Sequence, residues 1–285
     1  MLSVIIVNWN TREHLRKCLR SIAAHRPMEP MEVIVVDNAS SDGSAAMVES
    51  DFPWVRLEAC GQNLGYAKGN NLGFAVAKGE WLLTLNPDTQ FFDESLQIAV
   101  ERLAGKPKAA VLAGMLLDPD GKSVQRSVRS FPRPSAIIPE ILGLSKLFPQ
   151  QFGDYRQVDF DYTKNQEAEQ PMGTFLLFRK SALDEVGVMD ERFPIFFNEV
   201  DLLFRLKKAG WGIWYSPEVR VVHFGGQSTR QIPKKMVWES HRGLIRYYRK
   251  WYFKWWSAPL IWLFSAYVWM AALVRARGWD AGFRY

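Results

Sequence analysis

The sequence has little cysteine: Cys18 and Cys60 are the two cysteines among 285 residues. Two cysteines are too few for a disulfide framework or a cysteine-based zinc site, and their scarcity favours a reducing, cytosolic setting. Low-complexity tracts and internal repeats are also missing, and 48% of the residues are hydrophobic, which excludes general disorder. We therefore expect one large domain, or one domain with an appendage.

The N-terminal segment lacks the pattern of a targeting signal. Apolar residues run from Val4 to Val7, but Asn8 and Asn10 end the run before it reaches the length of a signal-peptide core. The run predicts a first buried strand.

Acidic residues are scarce near the C-terminus. Residues 234–285 hold ten Lys and Arg against two Asp and Glu, together with seven of the twelve tryptophans. This segment therefore has a net charge of +8. Because the whole chain has a net charge of +6, the first 233 residues have a net charge of −2. A near-neutral body with a basic, Trp-rich tail differs from a uniformly basic nucleic-acid binder, so we expect no nucleic-acid partner.

Strand and helix patterns alternate along the first 117 residues. Apolar runs predict buried strands at 3–8, 32–37, 55–58, 81–85 and 109–117. Helical spacing of apolar residues predicts helices after the capping residue Thr11, near 69–77 and around 92–103. Residues 118–172 are irregular, which favours loops and short helices. Strands return at 174–178 and 219–223, and helices at 181–186 and 199–209. This rhythm predicts an α/β fold in which helices flank a mainly parallel sheet.

Polar residues follow three of these strands directly. Asn8, Asp37 and the tripeptide 86–88 (Asn-Pro-Asp) each stand where a predicted strand ends. Ligands of such sheets bind beyond the carboxyl ends of the strands, at the switch point of the topology. The three strand ends are therefore the first candidates for a site.

Seven stretches of the chain form a larger pattern, in the order SVIIVNWN (3–10), VDNASSDGS (36–44), NLGYAKGNNLG (63–73), GEWLLTLNPDT (79–89), GTFLLFRKSALDEVGVMDERF (173–193), FNEVDLLFRLKKAGW (197–211) and VVHFGGQS (221–228). Together they resemble the inverting, GT-A-fold bacterial glycosyltransferases, most closely the rhamnosyltransferase-like members. The resemblance implies transfer of a sugar from a nucleotide diphosphate, with dTDP-rhamnose as one donor, to a glycan or lipid-linked acceptor in cell-surface polysaccharide synthesis. It also implies a catalytic unit at 1–233, with a nucleotide-binding half at 1–117 and an acceptor half at 118–233.

The resemblance implies a divalent metal site. Asp88 stands in the family's Asp-x-Asp position and would hold Mg²⁺ or Mn²⁺, which prefer oxygen ligands, on the donor diphosphate. Asn86 departs from the family pattern, in which many relatives carry Asp, and its amide would hold the ribose or a metal-bound water. His223 corresponds to a histidine that completes the metal sphere in several relatives, and imidazole suits Mn²⁺. A turn aspartate and a structural histidine are the alternatives for these two residues.

Nucleotide binding is implied for the other polar residues near the strand ends. Asp37, with Asn8 beside it, would accept hydrogen bonds from the base or ribose, although Asx-turns around Gly43 would also explain an aspartate there. Backbone amides at a helix start suit phosphate, which makes the glycine-rich segment a second candidate. Its candidate residues are Asn63, Gly65, Lys68 and Asn70. Asn70 replaces an arginine of some relatives, which leaves Lys68 or the metal with more of the diphosphate charge.

A general base is implied at the start of the helix predicted at 199–209. Glu199 takes the place of the family's catalytic Asp, and Asn198 replaces the acid before it. The longer side chain reaches about 1.5 Å further, one C–C bond length, so we expect some backbone adjustment. Asp201 is the alternative base, and an acidic first turn that complements the helix dipole is the structural alternative.

The segment 255–274 has no charged residue and by length alone could cross a membrane. Pro259 predicts a new helix that leaves about 16 apolar residues, roughly 24 Å, which is short of a 30 Å hydrocarbon core. Trp255, Trp262 and Trp269 recur every seven residues between basic flanks. We expect residues 234–285 to lie on an anionic membrane as a peripheral anchor at the inner face of the cell membrane. A full span and a core or dimer contact are the alternatives.

Two other function classes remain open from the sequence. The departures at Asn86 and Asn198 would suit a nucleotide-sugar-binding scaffold without catalysis. A nucleotidyl-transfer enzyme would share the α/β core, but it leaves the acidic helix and the apolar tail unexplained.

Overall fold

The computed structural model describes residues 1–228 and 231–277. The strands are β1 (Leu2–Asn8), β2 (Met31–Asp37), β3 (Arg56–Ala59), β4 (Trp81–Leu85), β5 (Thr89–Gln90), β6 (Ala109–Leu117), β7 (Val128–Arg129), β8 (Gln166–Glu167), β9 (Gln170–Pro171), β10 (Phe175–Arg179) and β11 (Gly212–His223). The helices are α1 (Arg12–Ala24), α2 (Ser44–Asp51), α3 (Tyr66–Val76), α4 (Ser95–Ala104), α5 (Pro134–Ile141), α6 (Leu144–Leu147), α7 (Pro149–Phe152), α8 (Lys180–Val186), α9 (Asn198–Lys208), α10 (Pro233–Trp251) and α11 (Ala258–Ala276).

A mixed, mostly parallel sheet forms the centre of the molecule. Its strand order is β3-β2-β1-β4-β10-β6-β11-β5, with β8 paired to β11. The pairs β3–β2, β2–β1, β1–β4 and β6–β11 are parallel, whereas β10 runs antiparallel between β4 and β6. Strands β7 and β9 form a separate antiparallel pair. The predicted α/β fold with a mainly parallel sheet is confirmed.

Both faces of the sheet are buried under helices. Successive side chains of a strand point to opposite faces, and in β1 Ile5 and Val7 join one apolar cluster while Val4 and Ile6 join another. A strand that is buried on both faces reads as a continuous apolar run, which is why the pattern at 3–8 predicted it.

Local predictions fail where the signal is weak or a tertiary contact takes over. The Thr11 hydroxyl precedes α1 without capping it and donates instead to Asn8 Oδ1 at 2.6 Å. Helix α2 was not predicted, because turn-forming residues precede it and its apolar residues lack a clear stripe. Phe92 lies before α4 and is two-thirds exposed, contrary to the helix predicted around 92–103.

Helix α10 follows the boundary predicted after residue 233, and it packs against the sheet and its helices. Leu244, Ile245 and Tyr247 of α10 lie in the same apolar cluster as Ile5 of β1 and Leu202 of α9. Helix α10 is therefore part of the body, and α11 contributes Val268 to the same cluster while exposing its other side. Residues 278–285 of the predicted tail lie outside the described part of the chain.

Helix α11 packs against α10 along one side only. Phe264 stacks on Tyr248 with ring centroids 4.4 Å apart, and Trp269 contacts Trp238 at 5.5 Å. Trp255 and Trp262 are 84% and 71% exposed, so Trp269 does not share an exposed stripe with them as the sequence suggested. Among the described residues one helix, Trp255–Ala276, is long and apolar enough to cross a membrane by length and composition, and a third of it is buried.

Candidate active site

Three strands end beside one another at one edge of the sheet. Asn8 pairs with Asp37 in the parallel register of β1 and β2, and Ile6 pairs with Leu85 in that of β1 and β4. Strand β1 has β2 on one side and β4 on the other, which makes it the switch point of the topology. The structure thus brings together the three strand ends that the sequence singled out.

Asn8 and Asp37 form a buried polar pair. Asn8 Nδ2 donates to Asp37 Oδ1 at 2.9 Å and to Ser40 Oγ at 3.1 Å, which uses both of its amide hydrogens. The Ser40 backbone N–H donates to Asp37 Oδ2 at 2.9 Å. Asn8 is fully buried and Asp37 is 3% exposed. Asn8 is therefore placed to orient the Asp37 carboxylate, rather than to contact a nucleotide itself.

The start of α3 is closed by a neighbouring loop. The backbone N–H groups of Tyr66 and Ala67 donate to the Pro194 carbonyl at 2.7 and 3.2 Å. Gly65, with a φ of +82°, brings the chain so close that an added Cβ would lie 2.9 Å from that carbonyl. Asn63 Oδ1 accepts from the Gly65 N–H at 2.9 Å. The prediction that the helix start offers its amides to phosphate is thus wrong for these two amides.

Asn70 and Lys68 differ in what they can reach. Asn70 is 1% exposed, and its Nδ2 donates to the Tyr66 carbonyl at 2.9 Å within the helix. The adjacent Gly69 lies against Val7, where an added Cβ would come within 2.8 Å, so the small residue serves helix–strand packing. Lys68 is exposed, so its ammonium group places a positive charge at the surface of this segment.

Tyr66 links the end of β4 to the loop before β10, a role that the sequence did not signal. Its hydroxyl lies 3.2 Å from Asn86 Oδ1 and 3.1 Å from the Gly173 carbonyl, to both of which it can donate. Burial raises the pKa of Tyr66, and the carboxylates of Glu199 and Asp88 raise it further. The hydroxyl therefore stays protonated between the two acidic residues.

Asp88 and His223 lie together beneath the loop that follows β11. His223 Nε2 is 3.6 Å from Asp88 Oδ1, and the side chains of His223 and Asp88 are 8% and 6% exposed. The backbone N–H groups of Phe224 and Gln227 donate to Asp88 at 2.9 and 3.4 Å, the first to its carbonyl and the second to its carboxylate. The loop, with positive φ at Gly225 and Gly226, thus folds over the end of β4.

A hydrogen-bond relay through Gln125 fixes the histidine tautomer. Gln125 Nε2 donates to Asp118 Oδ1 and to the His223 carbonyl, both at 2.9 Å. Its Oε1 is therefore an acceptor, and it lies 3.0 Å from His223 Nδ1, which must carry the proton. Burial lowers the pKa of His223, although Asp88 and Asp118 raise it in part. The ring is neutral, and Nε2 presents a lone pair. Gln125 and Asp118 lie in the segment that the sequence left irregular.

The arrangement fits a divalent ion. His223 Nε2 is buried and has no hydrogen-bond partner, although a carboxylate oxygen lies 3.6 Å away. Two facing electron-pair donors repel each other unless a cation lies between them, and imidazole with carboxylate suits Mn²⁺. No cluster of three His, Cys, Asp or Glu ligands occurs within residues 1–228 and 231–277. Two protein ligands leave room for phosphate oxygens and water, as Mg²⁺ and Mn²⁺ sites on phosphates commonly have.

Glu199 lies near the end of β4, because it packs against Gly173, which precedes β10. Phe175 pairs with Leu85, so Gly173 comes next to the end of β4. An added Cβ at Gly173 would lie 3.3 Å from Glu199 Cγ, and this space accommodates the extra methylene of the glutamate. Before α9, Phe196 and Phe197 both have positive φ, which is uncommon for bulky residues.

Asp201, the alternative base, serves a different part of the fold. It is fully buried, and its Oδ1 accepts from Lys250 Nζ at 2.7 Å and Trp251 Nε1 at 2.9 Å. Its Oδ2 accepts from Arg205 Nε at 3.0 Å. Both carboxylate oxygens of Asp201 are thus occupied by donors within the protein, and neither is free to contact an acceptor hydroxyl group. These contacts join α9 to α10 and argue against Asp201 as the base.

We expect Asp201→Asn to destabilise the protein while leaving its chemistry in place. Removing one member of a buried ion network costs about 3 kcal/mol, which lowers Tm by roughly 6–12 °C in a chain of this size. Thermal unfolding measures the loss. Glu13→Gln, which removes an exposed ion pair to Arg16, is the control and should shift Tm by less than about 1 °C. An unchanged Tm for Asp201→Asn would contradict the structural role.

Sequence comparison places these residues among known proteins. The family model described as Glycosyl transferase family 2 matches residues 3–187. The chain is 32% identical to N-acetylglucosaminyl-diphospho-decaprenol L-rhamnosyltransferase of Mycobacterium tuberculosis, over 92% of this chain and 88% of that protein. It is 24% identical to Rhamnosyltransferase WbbL of Escherichia coli, over 87% and 92% of the two chains.

Solved structures share the fold at low sequence identity. Mannosyltransferase PcManGT from Pyrobaculum calidifontis, solved with GDP-Man and Mn²⁺, has a TM-score of 0.58 and 17% identity over 98% of this chain and 76% of that one. GalNAc-T7, solved with UDP, GalNAc and Mn²⁺, also has a TM-score of 0.58, with 15% identity over 79% of this chain and 44% of that one. These similarities confirm the GT-A type of fold.

Proposed function

The chain belongs to glycosyl transferase family 2, a family of inverting glycosyltransferases, and from that premise we propose that it moves a sugar from a nucleotide diphosphate to a lipid-linked or glycan acceptor with the help of a divalent ion. The observation that carries the proposal is the buried pair of Asp88 and His223, which follows the end of β4, the strand end beside which Gly173 and Glu199 also lie. Because two relatives are named rhamnosyltransferases, dTDP-rhamnose is the first donor to test.

The donor side of the site consists of the strand ends. Asp37, oriented by Asn8, faces the end of β1 and accepts hydrogen bonds from the base or the ribose. Asp88 and His223 would hold Mg²⁺ or Mn²⁺ on the diphosphate, where the ion neutralises the charge of the leaving group. The exposed ammonium of Lys68 lies one turn from the start of α3 and adds a positive charge for the phosphates.

Glu199 acts as the general base. Its carboxylate removes the proton of an acceptor hydroxyl group, whose oxygen attacks the anomeric carbon from the face opposite the leaving group. The bond from that carbon to the diphosphate oxygen breaks as the new glycosidic bond forms, so the nucleoside diphosphate leaves and the configuration inverts. Gly173 packs against Glu199, and the protonated Tyr66 hydroxyl contacts both the Gly173 carbonyl and Asn86 after β4. These contacts position Glu199 near the end of β4.

Release of nucleoside diphosphate by the purified protein tests this function. We expect release from one member of a panel of nucleotide sugars when a prenyl-diphosphate-linked acceptor and Mn²⁺ are present. EDTA should abolish the release, and added Mn²⁺ should restore it. Metal-dependent donor binding without release, with every acceptor of the panel, would instead favour the scaffold that has lost catalysis.

We further propose that α11 attaches the enzyme to the cytoplasmic face of a membrane. The helix has 19 residues, about 28 Å long, and one side of it is occupied by α10. Its other side exposes large apolar residues, and Arg249 and Lys254 precede it. Because a third of it is buried and it is aromatic and flanked by basic residues, the helix suits the headgroup region of an anionic membrane better than a span through its core.

Removing the exposed aromatic residues should release the protein from membranes. We expect the triple variant Trp255→Ser, Trp256→Ser and Trp262→Ser to bind anionic vesicles at least about tenfold more weakly, because binding scales with buried apolar area. Co-sedimentation with phosphatidylglycerol-containing vesicles measures it, and Trp54→Ser on the body is the control. Equal sedimentation of the triple variant and the control would exclude α11 as the anchor.

A further inference from the structure

A cavity lined by three arginines lies apart from the residues assigned so far. It has a volume of about 410 Å³, and its lining consists of Arg126, Arg129, Ser145, Pro149, Arg156 and Val158. We call it the arginine cavity. The residues come from β7 and the segment before it, from α6 and α7, and from the turn after α7.

Two of the three guanidinium groups in the arginine cavity have no described carboxylate within ion-pair distance, and all three share the single nearby charge of Glu140. Arg156 is neutralised by the buried Glu140, whose carboxylate accepts from Arg156 Nε at 2.9 Å and also from Ser145. Arg129 Nη1 donates to the backbone carbonyls of Arg126 and Val128 at 2.9 and 3.0 Å. None of the described carboxylates lies within ion-pair distance of Arg126 or Arg129. The arginine cavity therefore carries about two unbalanced positive charges and attracts an anion.

The arginine cavity adjoins the acceptor side of the site. Strand β7 pairs with β9, and the ladder continues as the Met172 N–H donates to the Ser127 carbonyl at 2.8 Å. Arg126 precedes Ser127 and Gly173 follows Met172, so both come directly after this last contact of the ladder, and Gly173 packs under Glu199. The preceding residue, Gln125, holds His223. The segment 125–129 thus contacts the proposed metal ligand His223 through its first residue and lines the arginine cavity with Arg126 and Arg129.

An apolar surface borders the arginine cavity, since Ser145 and Pro149 of its lining belong to the same short helices that expose apolar side chains. Helices α5 to α7 expose five large apolar side chains, Ile138, Leu142, Leu147, Phe148 and Phe152. The Tyr267 hydroxyl of α11 donates to the Ile141 carbonyl at 3.3 Å, which fixes the exposed face of α11 beside α5. A ligand with an anionic group and a long apolar chain therefore finds a place for each part on adjoining surfaces.

We propose that the arginine cavity binds the diphosphate of a prenyl-diphosphate-linked acceptor, with the sugar toward Glu199 and the prenyl chain along α5 to α7. This inference rests on the proposed function and adds the position of the acceptor. A diphosphate carries two to three negative charges, and guanidinium groups bind phosphate oxygens in pairs of parallel hydrogen bonds. The phosphate of a membrane lipid shares this chemistry, so the test must distinguish the two sources.

Binding of farnesyl diphosphate to the full chain in EDTA, followed by calorimetry, tests the proposal without turnover. We expect the wild type to bind it and not to bind farnesol. The double variant Arg126→Gln, Arg129→Gln should bind at least about tenfold more weakly, since each hydrogen bond to a charged group is worth a factor of ten or more. Lys17→Gln, Arg20→Gln on α1 removes the same charge elsewhere and should bind like the wild type.

Three results would overturn the proposal: no binding of farnesyl diphosphate by the wild type, equal binding by the arginine variant, or an equal loss in the α1 control. Binding of phosphatidylglycerol vesicles is the second arm. If the arginine variant loses vesicle binding but keeps farnesyl diphosphate, the arginines contact lipid headgroups and the proposal is wrong. In turnover assays the arginine variant should raise KM for the acceptor about tenfold and leave KM for the donor unchanged. A missing transfer activity would contradict the proposed function but leave the binding result valid.

Discussion

Glu199→Gln is expected to lower kcat by about 100- to 10,000-fold, the range that a general base contributes. The amide keeps the shape of the side chain and its packing on Gly173 but cannot accept the proton of the acceptor hydroxyl. Initial rates at saturating donor and acceptor measure the loss. Because the substitution is isosteric, Tm and the affinity for the donor nucleotide should stay the same.

Two variants separate the chemistry of Glu199 from its position. Gly173→Ala places a Cβ 3.3 Å from Glu199 Cγ, which is tighter than ordinary packing, and should push the carboxylate aside. A displacement of about 1 Å can cost up to 100-fold in rate, so we expect a partial loss with the base still present. Asp201→Asn should lower Tm and retain kcat in the folded protein. Full turnover by Glu199→Gln would remove Glu199 from the mechanism, and loss of kcat in folded Asp201→Asn would make Asp201 the better candidate.

The sequence predicted the parts of the site that depend on strand order. Strand ends of a parallel sheet meet at one edge, so Asn8, Asp37 and Asp88 could be placed together from the apolar runs that precede them. The glycine-rich segment was interpreted less well. Its glycine at position 69 allows α3 to pack on β1, and its first amides bind Pro194, a residue more than 120 positions later that no local pattern could have indicated.

The choice between two acidic residues also needed tertiary contacts. Glu199 and Asp201 lie two positions apart in the first turn of α9, and charge, spacing and helix position do not distinguish them. Their partners do. Asp201 faces Lys250 and Trp251 of α10, whereas Glu199 faces Gly173 at the end of the sheet. Composition alone places α10 in the predicted basic tail, because its basic residues hide the pattern of Leu244, Ile245, Tyr247 and Tyr248, which are buried in the body.

Asp88→Asn should lower kcat/KM by about 1,000-fold, close to the loss of the enzyme without metal. The charge that a divalent ion stabilises on a leaving diphosphate is worth several kcal/mol, and each 1.4 kcal/mol is a factor of ten in rate. An amide oxygen is a weaker ligand than a carboxylate, and His223 alone cannot hold the ion. The measurement is initial rate as a function of Mn²⁺ concentration, together with Mn²⁺-dependent binding of the nucleoside diphosphate.

The neighbours of Asp88 should give a graded series that a structural role would not produce. In Gln125→Ala the His223 Nδ1 proton loses its acceptor, so the Nε2 lone pair is no longer fixed toward Asp88. Loss of such an outer partner typically weakens metal binding 10- to 100-fold, and excess Mn²⁺ should restore the rate. His223→Ala should need still more Mn²⁺, and Asp88→Asn should not recover at any concentration. If all three variants show the same metal dependence as the wild type, the buried pair is a structural contact and the ion is bound elsewhere.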